Sequence, residues 1–390
     1  MQPTFHRDRL TWLAYLFLSF FGFFLNVLGP ITPYLKSELN LSYTVSSLHF
    51  TAFAVGMLLV GLGGHLVILR LGRGFSLWVG AMGMSVSAMF LILGKNPVVT
   101  IGAAFFMGLI GSLILVIVPA LLSEEHGDLR GIALSEANVI ASIVATAAPL
   151  LVGFFALYAG DWRFALGIIA FTPLILYLGL GRGISFPTQV TGTDQTASNQ
   201  HLSTQYWIFW LAIFLAVSIE FCMISWSADF LEKVLGMQKV GAVQAVSLFL
   251  GAMILGRLLG SILLQRFSIY KLVTGSILVA GLGFLFFWKS GIAFLALGGL
   301  FVAGLGVASL YPLILALAIG AAGKNTVQAS SRAALASGTA ILALPLILGR
   351  LADAVGIGLA YGVVALLLLG IFLIIQFEQK RSRINETAGQ

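Results

Sequence analysis

The feature that most constrains this chain is a succession of long apolar runs, separated by short segments that carry most of the charges. A transmembrane helix needs roughly 20 consecutive apolar residues, and these runs reach that length. Only 9% of the 390 residues are charged, whereas soluble domains carry about 25% charged residues. The runs therefore predict a multi-pass membrane protein and exclude a large soluble domain on a single anchor. They also exclude an outer-membrane barrel, whose strands alternate polar and apolar side chains.

Breaks at charged residues, proline and glycine divide the chain into twelve predicted helices. The predicted helices span residues 10–35, 42–69, 75–94, 97–123, 131–158, 162–180, 205–231, 240–265, 270–289, 291–322, 326–350 and 355–377. Residues 181–204, rich in Ser, Thr and Gln, are the only long polar stretch and are predicted to form a cytoplasmic linker. We therefore expect an all-α protein with one six-helix bundle in residues 1–180 and a second in residues 205–390.

The positive charges predict the orientation, because cytoplasmic loops of membrane proteins carry an excess of Lys and Arg. With the N-terminus in the cytoplasm, 13 Lys and Arg residues are assigned to the inside and seven to the outside, and Arg257, deep within a helix, is assigned to neither. We expect both termini to be cytoplasmic and the protein to lie in the inner or plasma membrane. The first apolar run has no small-residue cleavage site after it, so we expect it to be a retained helix.

The two halves are related in sequence by a constant offset of 196 positions. Identities at this offset, without gaps, occur in three predicted helices of each half and in one loop. They pair Gly64 with Gly260, Arg70 with Arg266, Gly108 with Gly304, Pro149 with Pro345 and Gly153 with Gly349. Parallel six-helix repeats around a central cavity are typical of secondary transporters.

Several motifs give the chain a family resemblance. Residues 64–73, which read Gly-His-Leu-Val-Ile-Leu-Arg-Leu-Gly-Arg, resemble the signature loop between helices 2 and 3 of the major facilitator superfamily. That loop usually ends Asp-Arg-x-Gly-Arg, and Leu69 replaces its Asp. Residues 255–261 and 265–268, and the turn at 349–356, resemble the fucose/glucose–proton symporter group within the superfamily. The fucose symporters carry carboxylates in helices 1 and 4, which this chain lacks. The resemblance implies two pseudo-symmetric bundles, the major facilitator fold, and transport by alternating access.

Glu220 is the leading candidate for proton coupling. It lies 15 residues into a predicted helix of about 27, near the middle of the bilayer. A charge at that depth costs about 2.5–3.5 kcal/mol on insertion scales and usually faces a cavity or a partner. Because a carboxyl group removed from water favours its neutral form, Glu220 can hold a proton near neutral pH. The alternative is a permanently protonated side chain that bonds a neighbouring helix.

Glu136 and Arg257 are candidates for a gate. Both are predicted in the inner third of the membrane, and the resemblance implies that helix 5 faces helix 8 across the two halves. The opposite charges could then meet as a latch when the cytoplasmic side closes; the alternative is a pair within one half. Arg332, at the repeat position of Glu136, and Arg70 in the signature loop complete the predicted gate residues. Arg257 is also a candidate anchor for an anionic substrate. Its repeat partner is Gly61, so the first half offers no matching arginine, which argues against this role.

The remaining polar candidates lie within predicted helices. His49 is a possible second proton site, or a histidine satisfied by a neighbouring carbonyl. Trp226 is a candidate to stack on a sugar ring. Uncharged groups that could line a cavity for a hydroxylated solute, or bond between helices, are Asn26, Asn138, Ser142, Thr146, Tyr311, Ser337 and Thr339.

The sequence excludes several other classes. It has no nucleotide-binding loop and no nucleophile–base arrangement, so we expect no enzyme. It has no His/Cys cluster, so we expect no metal or cofactor. The scattered basic residues argue against a nucleic-acid partner. The leading hypothesis is a monomeric proton-coupled symporter of a neutral, sugar-like solute. The alternatives are a proton-driven drug or metabolite exporter, an organic-anion transporter, and a receptor or scaffold without flux.

Overall fold

A computed structural model describes residues 6–184, 186, 202–264, 266–322 and 326–388. Within these residues the chain is helical, and twelve helices are long and apolar enough to cross a membrane. The prediction of an all-α protein with twelve transmembrane helices is confirmed. Most of the predicted linker 181–204 lies outside the described residues. The cytoplasmic orientation of the termini stays a prediction.

The contacts divide the chain into two units, Met1–Thr193 and Asp194–Gln390. Helices of the first unit are α1 (Arg9–Glu38), α2 (Tyr43–Leu71), α3 (Arg73–Leu93), α4 (Pro97–His126), α5 (Arg130–Tyr158), α6 (Arg163–Ala170) and α7 (Thr172–Leu176), which continues as one π turn to Gly181. Those of the second are α8 (Thr204–Lys233), α9 (Lys239–Leu263), α10 (Ile269–Lys289), α11 (Ala293–Val307), α12 (Leu310–Ala321), α13 (Thr326–Val355), α14 (Ile357–Ala360) and α15 (Gly362–Ala388). The sixth, tenth and twelfth predicted helices are thus each broken once.

Local chemistry sets the helix ends. The side chains of Asp8, Ser42, Asn96 and Ser203 accept hydrogen bonds from backbone N–H groups in the first turns of α1, α2, α4 and α8. These caps satisfy donors that a helix start leaves without a partner. In the tenth span, α11 ends at Val307 and α12 begins at Leu310.

Each unit is organised around its first helix. In the first unit α1 packs on α5 and α4, and in the second α8 packs on α13, α12, α15 and α9. These two helices are the most buried of the spans, with 67% and 61% of their most apolar windows buried. Polar groups near the middle of α1 and α8 are therefore held among protein neighbours.

The internal repeat corresponds to repeated contacts. A Cβ on Gly108 would overlap the carbonyl oxygen of Phe53, and a Cβ on Gly304 would meet the carbonyl oxygen of Phe249, 196 positions further on. Each glycine lets two helices approach to backbone contact. The predicted pair Pro149 and Pro345 lies inside α5 and α13, and both prolines are buried.

Candidate functional site

The central feature of the second unit is a carboxylate and a guanidinium within two packed helices, both away from the helix ends. Glu220 lies near the midpoint of α8, and its Oε1 is 3.7 Å from Nη2 of Arg257 on α9. The Glu220 side chain is 19% exposed and that of Arg257 is 44% exposed. A distance of 3.7 Å is an electrostatic contact that is longer than a hydrogen bond. Arg257 therefore supplies positive charge beside Glu220 without fixing the carboxylate in a bidentate clamp.

Two further helices bring hydroxyl groups to this pair. Tyr311 lies in the first turn of α12, directly after the break in the tenth span. Its hydroxyl lies close to Ser337 of α13, whose own hydroxyl donates to the carbonyl of Ala333, and within electrostatic range of Glu220. Ser309, in the break, donates a hydrogen bond to the carbonyl of Gly256, the residue before Arg257. The break in the tenth span thus ties α12 to α9 and sets Tyr311 beside the charged pair. We call Glu220, Arg257, Tyr311 and Ser337 the α8–α13 cluster.

Thr339 lies two residues beyond Ser337 on α13. Its hydroxyl donates to the carbonyl of Leu335 in its own helix, at 2.8 Å, and the side chain is half-buried. A hydroxyl that bonds its own helix keeps acceptor capacity for another group. Its role in substrate binding stays a prediction.

Polar candidates in the first unit also bond their own helices. The amide of Asn26 donates to the carbonyl of Gly22 on α1, and that of Asn138 donates to Leu134 on α5. Ser142 and Thr146 follow at four-residue spacing and donate to the carbonyls of Asn138 and Ser142. The three α5 side chains therefore form a stripe along one helix face. Asn138 is exposed, and the others are half-buried.

Trp226 and His49 are enclosed. The Trp226 side chain is fully buried, and its indole N–H donates to the carbonyl of Pro345 at 3.2 Å. His49 is 3% exposed, with Nδ1 3.0 Å from the carbonyl of Ser46 and Nε2 2.8 Å from the hydroxyl of Thr100 on α4. Both ring nitrogens have partners, so the geometry suits a structural link between α2 and α4. Their roles toward substrate and proton stay predictions, and we leave both side chains out of the proposed site.

Each of the two predicted gate charges has a partner inside its own unit. Glu136 accepts two hydrogen bonds from Arg7, at 2.8 and 2.6 Å, and a third from the hydroxyl of Tyr15 at 3.2 Å. The hydrogen bonds to Glu136 raise the pKa of the Arg7 guanidinium, which stays charged. Arg257 pairs with Glu220 as described. The predicted latch between Glu136 and Arg257 stays a prediction.

The signature loop contains a different ion pair. Arg73, the first residue of α3, donates to both carboxylate oxygens of Glu124 near the end of α4, with Nη2 to Oε1 at 2.7 Å. Gly72, with φ of +82°, makes the sharp turn before it. Arg70 and Leu69 are exposed. Arg332 on α13 is also exposed, and its carbonyl accepts a hydrogen bond from the indole of Trp210.

Sequence reasoning missed the partners that the fold brings from far along the chain. Arg7 and Tyr15 lie more than 120 positions from Glu136. The buried Glu378 on α15 accepts a hydrogen bond from Gln205 on α8 at 3.0 Å and lies 3.6 Å from Arg381. The depth of each charge along its helix could have nominated such pairs, but depth does not give the direction in which a side chain points. Among the described residues, no group of His, Cys, Asp and Glu is arranged to hold a metal.

The architecture is that of a multi-pass membrane protein with six membrane-spanning helices in each unit. The family model of the Major Facilitator Superfamily matches residues 12–327, and the chain belongs to that superfamily. The family and the fold are those of transporters. The family resemblance drawn from the loop motifs is thereby confirmed.

Known proteins similar to the chain include an uncharacterized MFS-type transporter of Yersinia pestis. It is 28% identical over 171 residues, which are 42% of this chain and 44% of that relative, so the match spans less than half of its length. A bacterial homolog of the human lysosomal transporter Spinster has the same fold, with a TM-score of 0.78 and 13% identity, over 97% of this chain and 98% of that one.

Two sugar–proton symporters of known structure share the fold as well. A D-xylose–proton symporter superposes with a TM-score of 0.74 and 16% identity, over 95% of this chain and 96% of that one. FucP, the Escherichia coli fucose:proton symporter, superposes with a TM-score of 0.62 and 18% identity, over 94% of this chain and 98% of that one. At these identities the likeness establishes the fold.

Proposed function

We propose that this transporter is a proton-coupled symporter of a small, neutral, sugar-like solute, with Glu220 as the group that carries the proton. The observation that carries the proposal is the placement of Glu220 beside Arg257 and Tyr311, at the middle of a helix long and apolar enough to cross a membrane. A charge at that depth is costly and marks a functional pathway in most membrane proteins.

The chemistry of the α8–α13 cluster suits coupling. When Glu220 is ionised, its charge is attracted to Arg257, whose guanidinium cannot give up its proton. Protonation of Glu220 removes that attraction and adds an O–H donor. The Arg257 side chain is then released from Glu220, and the hydrogen-bonding groups beside Tyr311 change with proton occupancy. The affinity for a solute that hydrogen-bonds to these groups therefore depends on whether Glu220 is protonated.

The hydroxyl groups of Tyr311, Ser337 and Thr339 each donate and accept hydrogen bonds, as the hydroxyls of a sugar do. They lie on α12 and α13 in the half of the chain that contains Glu220. Asn26, Asn138 and Ser142 are proposed as further contacts from the first unit. The shared fold of the D-xylose and fucose symporters supports these sugars as the first solutes to test.

The test is a ligand-stability screen on purified protein at pH values of about 5.5 and 7.5. The solutes are D-xylose, L-fucose, the lipophilic cation tetraphenylphosphonium and the small anion benzoate. A ligand present at about 100 times its Kd stabilises the folded protein by about 2.7 kcal/mol. We expect a sugar to stabilise the protein at both pH values, with a pH dependence that disappears in Glu220→Gln.

The other outcomes point to other functions. Stabilisation by tetraphenylphosphonium alone would refute sugar symport and favour an exporter. Stabilisation by benzoate, lost in Arg257→Gln, would favour an organic-anion transporter. Sugar binding with the same pH dependence in wild type and Glu220→Gln would refute the role of Glu220.

A further inference from the structure

The second unit has an apolar groove on its surface, and none of the four α8–α13 cluster residues is among those that line it. Helices α9 and α10 both pack against α11, and the groove is the gap between them. It encloses about 560 Å³, within the range of small-molecule sites, which is about 300–1,000 Å³. Its walls include the exposed side chains of Leu259, Leu263, Phe267 and Val279.

The groove depends on glycine residues, which let helices pack closely at some positions and leave space at another. Gly256 and Gly306 lie in it where helices touch: a Cβ on Gly256 would meet the carbonyl oxygen of Leu305, and one on Gly306 would meet the backbone of Ala280. Gly275 is different, because a Cβ there would meet no atom within 4 Å. Its missing side chain leaves open space in the groove itself. From Lys271 to Val279 the groove follows α10 for about 12 Å, at 1.5 Å per residue.

One end of the groove is positively charged. Lys271, in the first turn of α10, is exposed and lines the groove, and the exposed Arg266 lies in the preceding turn. The N-cap residue Ser268 makes no side-chain capping hydrogen bond, so the first-turn N–H groups of α10 are not satisfied by it. The positive end of the helix dipole lies at the same place. Among the described residues that line the groove, none is acidic.

We propose that this groove binds an anionic phospholipid, with an acyl chain between α9 and α10 and the phosphate at Lys271. The apolar walls match a hydrocarbon chain, and the charged end matches a headgroup with net negative charge. Lys271 lies in the first turn of α10, at one end of its apolar span, which is the position that a lipid phosphate would take. Basic residues beside transmembrane helices attract anionic headgroups for this reason.

The first unit provides an internal comparison. A groove between α3 and α4 encloses about 480 Å³ and is lined by Val86, Phe90, Val98 and other apolar residues, without any charged side chain. It also contains an open glycine, Gly102, where a Cβ would meet nothing within 4 Å. A hydrocarbon chain fits both grooves, but only the one in the second unit has a cation among the described residues that line it.

The test is native mass spectrometry of the purified full chain, titrated with phosphatidylglycerol and with phosphatidylcholine of the same acyl chains. We expect phosphatidylglycerol to bind about fivefold more tightly, the effect of one basic residue near an anionic headgroup. Lys271→Gln should remove that preference and Lys271→Arg should keep it. Gly275→Leu should weaken binding of both lipids, whereas the matched Gly102→Leu should leave the preference intact.

Three results would overturn the proposal. They are equal binding of the two lipids by the wild type, an unchanged preference in Lys271→Gln, and displacement of phosphatidylglycerol by inorganic phosphate, which would indicate a site for free anions. If Gly275→Leu does not fold, the two Lys271 variants decide the matter. None of these measurements depends on which solute the protein transports.

Discussion

The two halves of the molecule differ most at the positions where their repeat should make them alike. At the offset of 196, Glu220 corresponds to Phe24, Arg257 to Gly61, Tyr311 to Leu115 and Ser337 to Ala141. Phe24 is fully buried on α1, edge-to-face with Phe20 and Phe23. The central helix of one unit thus carries the acidic member of a charged pair, and the central helix of the other carries a cluster of aromatic rings at that position.

The packing that holds the helices together is nevertheless shared. The contacts of Gly108 with Phe53 and of Gly304 with Phe249 are the same contact made twice. Gly160 and Gly356, also 196 positions apart, both have positive φ, +73° and +80°, in the turns that follow α5 and α13. The comparison teaches that the helix packing is duplicated, whereas the Glu220–Arg257 pair has no counterpart at the repeat positions of the other half.

The largest expected effect comes from removing the ionisable group. Glu220→Gln should reduce solute-driven proton movement to the level of protein-free vesicles, because an amide cannot exchange a proton. The measurement is acidification inside proteoliposomes after addition of D-xylose or L-fucose. Glu232→Gln, the same change on the same helix, should retain the signal. Loss of acidification in both variants, or in neither, would contradict the assignment.

Breaking the contact of Gly108 with Phe53, or the equivalent contact of Gly304 with Phe249, should lower the free energy of unfolding by a similar amount. Gly108→Ala and Gly304→Ala each place a Cβ against a backbone carbonyl that cannot move aside, and we expect a loss of about 3 kcal/mol of unfolding free energy. Gly102→Ala, in open space, should lose far less. Unfolding in denaturant measures all three. A large loss in only one half would show that the repeat does not extend to packing.

A smaller effect should follow when the charged pair loses one member. Arg257→Ala leaves Glu220 without its cation, and we expect a loss of about 1 kcal/mol, since the exposed guanidinium is partly screened by its surroundings. Adding Glu220→Gln should recover part of that loss. A double-mutant cycle of unfolding free energies tests the coupling, and strict additivity would mean that the two side chains do not interact.

The smallest effect concerns one hydroxyl. Ser337→Ala gives α13 the residue that α5 has at Ala141 and removes the hydroxyl that lies beside Tyr311. We expect a loss of about 0.6 kcal/mol of unfolding free energy, the average for a hydrogen bond between membrane helices. Tyr311→Phe should cost a similar amount. A cost in Ser337→Ala that persists in the Tyr311→Phe background would show that the hydroxyl acts elsewhere.

Much of the fold was predictable from the residues. The predicted helix 97–123 corresponds to α4 at Pro97–His126, and 270–289 corresponds to α10 at Ile269–Lys289. These boundaries could be read because a bilayer requires long apolar helices and places charges at their ends. The break at Ser309 was not predicted, although Ser309 and Pro312 mark it, because long apolar runs continue on both sides and one helix was read through them.

The sequence predicted which residues belong to the site better than it predicted which of them contact one another. The depth of Glu220 along its helix made it a candidate for the proton site. In the structure it lies beside Arg257, for which the sequence had suggested Glu136 as the partner. Sequence spacing gives depth along a helix, but the rotation of the helix and the identity of its neighbours depend on the packing of all the others.

The sequence by itself determined that this chain crosses a membrane twelve times, that its halves repeat, and that few ionisable groups lie at membrane depth. Those properties follow from composition and period, since lipid offers no partner to a backbone or a charge. Only the tertiary structure decided that Glu136 pairs with Arg7, that Glu220 pairs with Arg257, and that Lys271 stands at the end of a groove. Contacts between residues far apart in the chain depend on close packing, which no local pattern encodes.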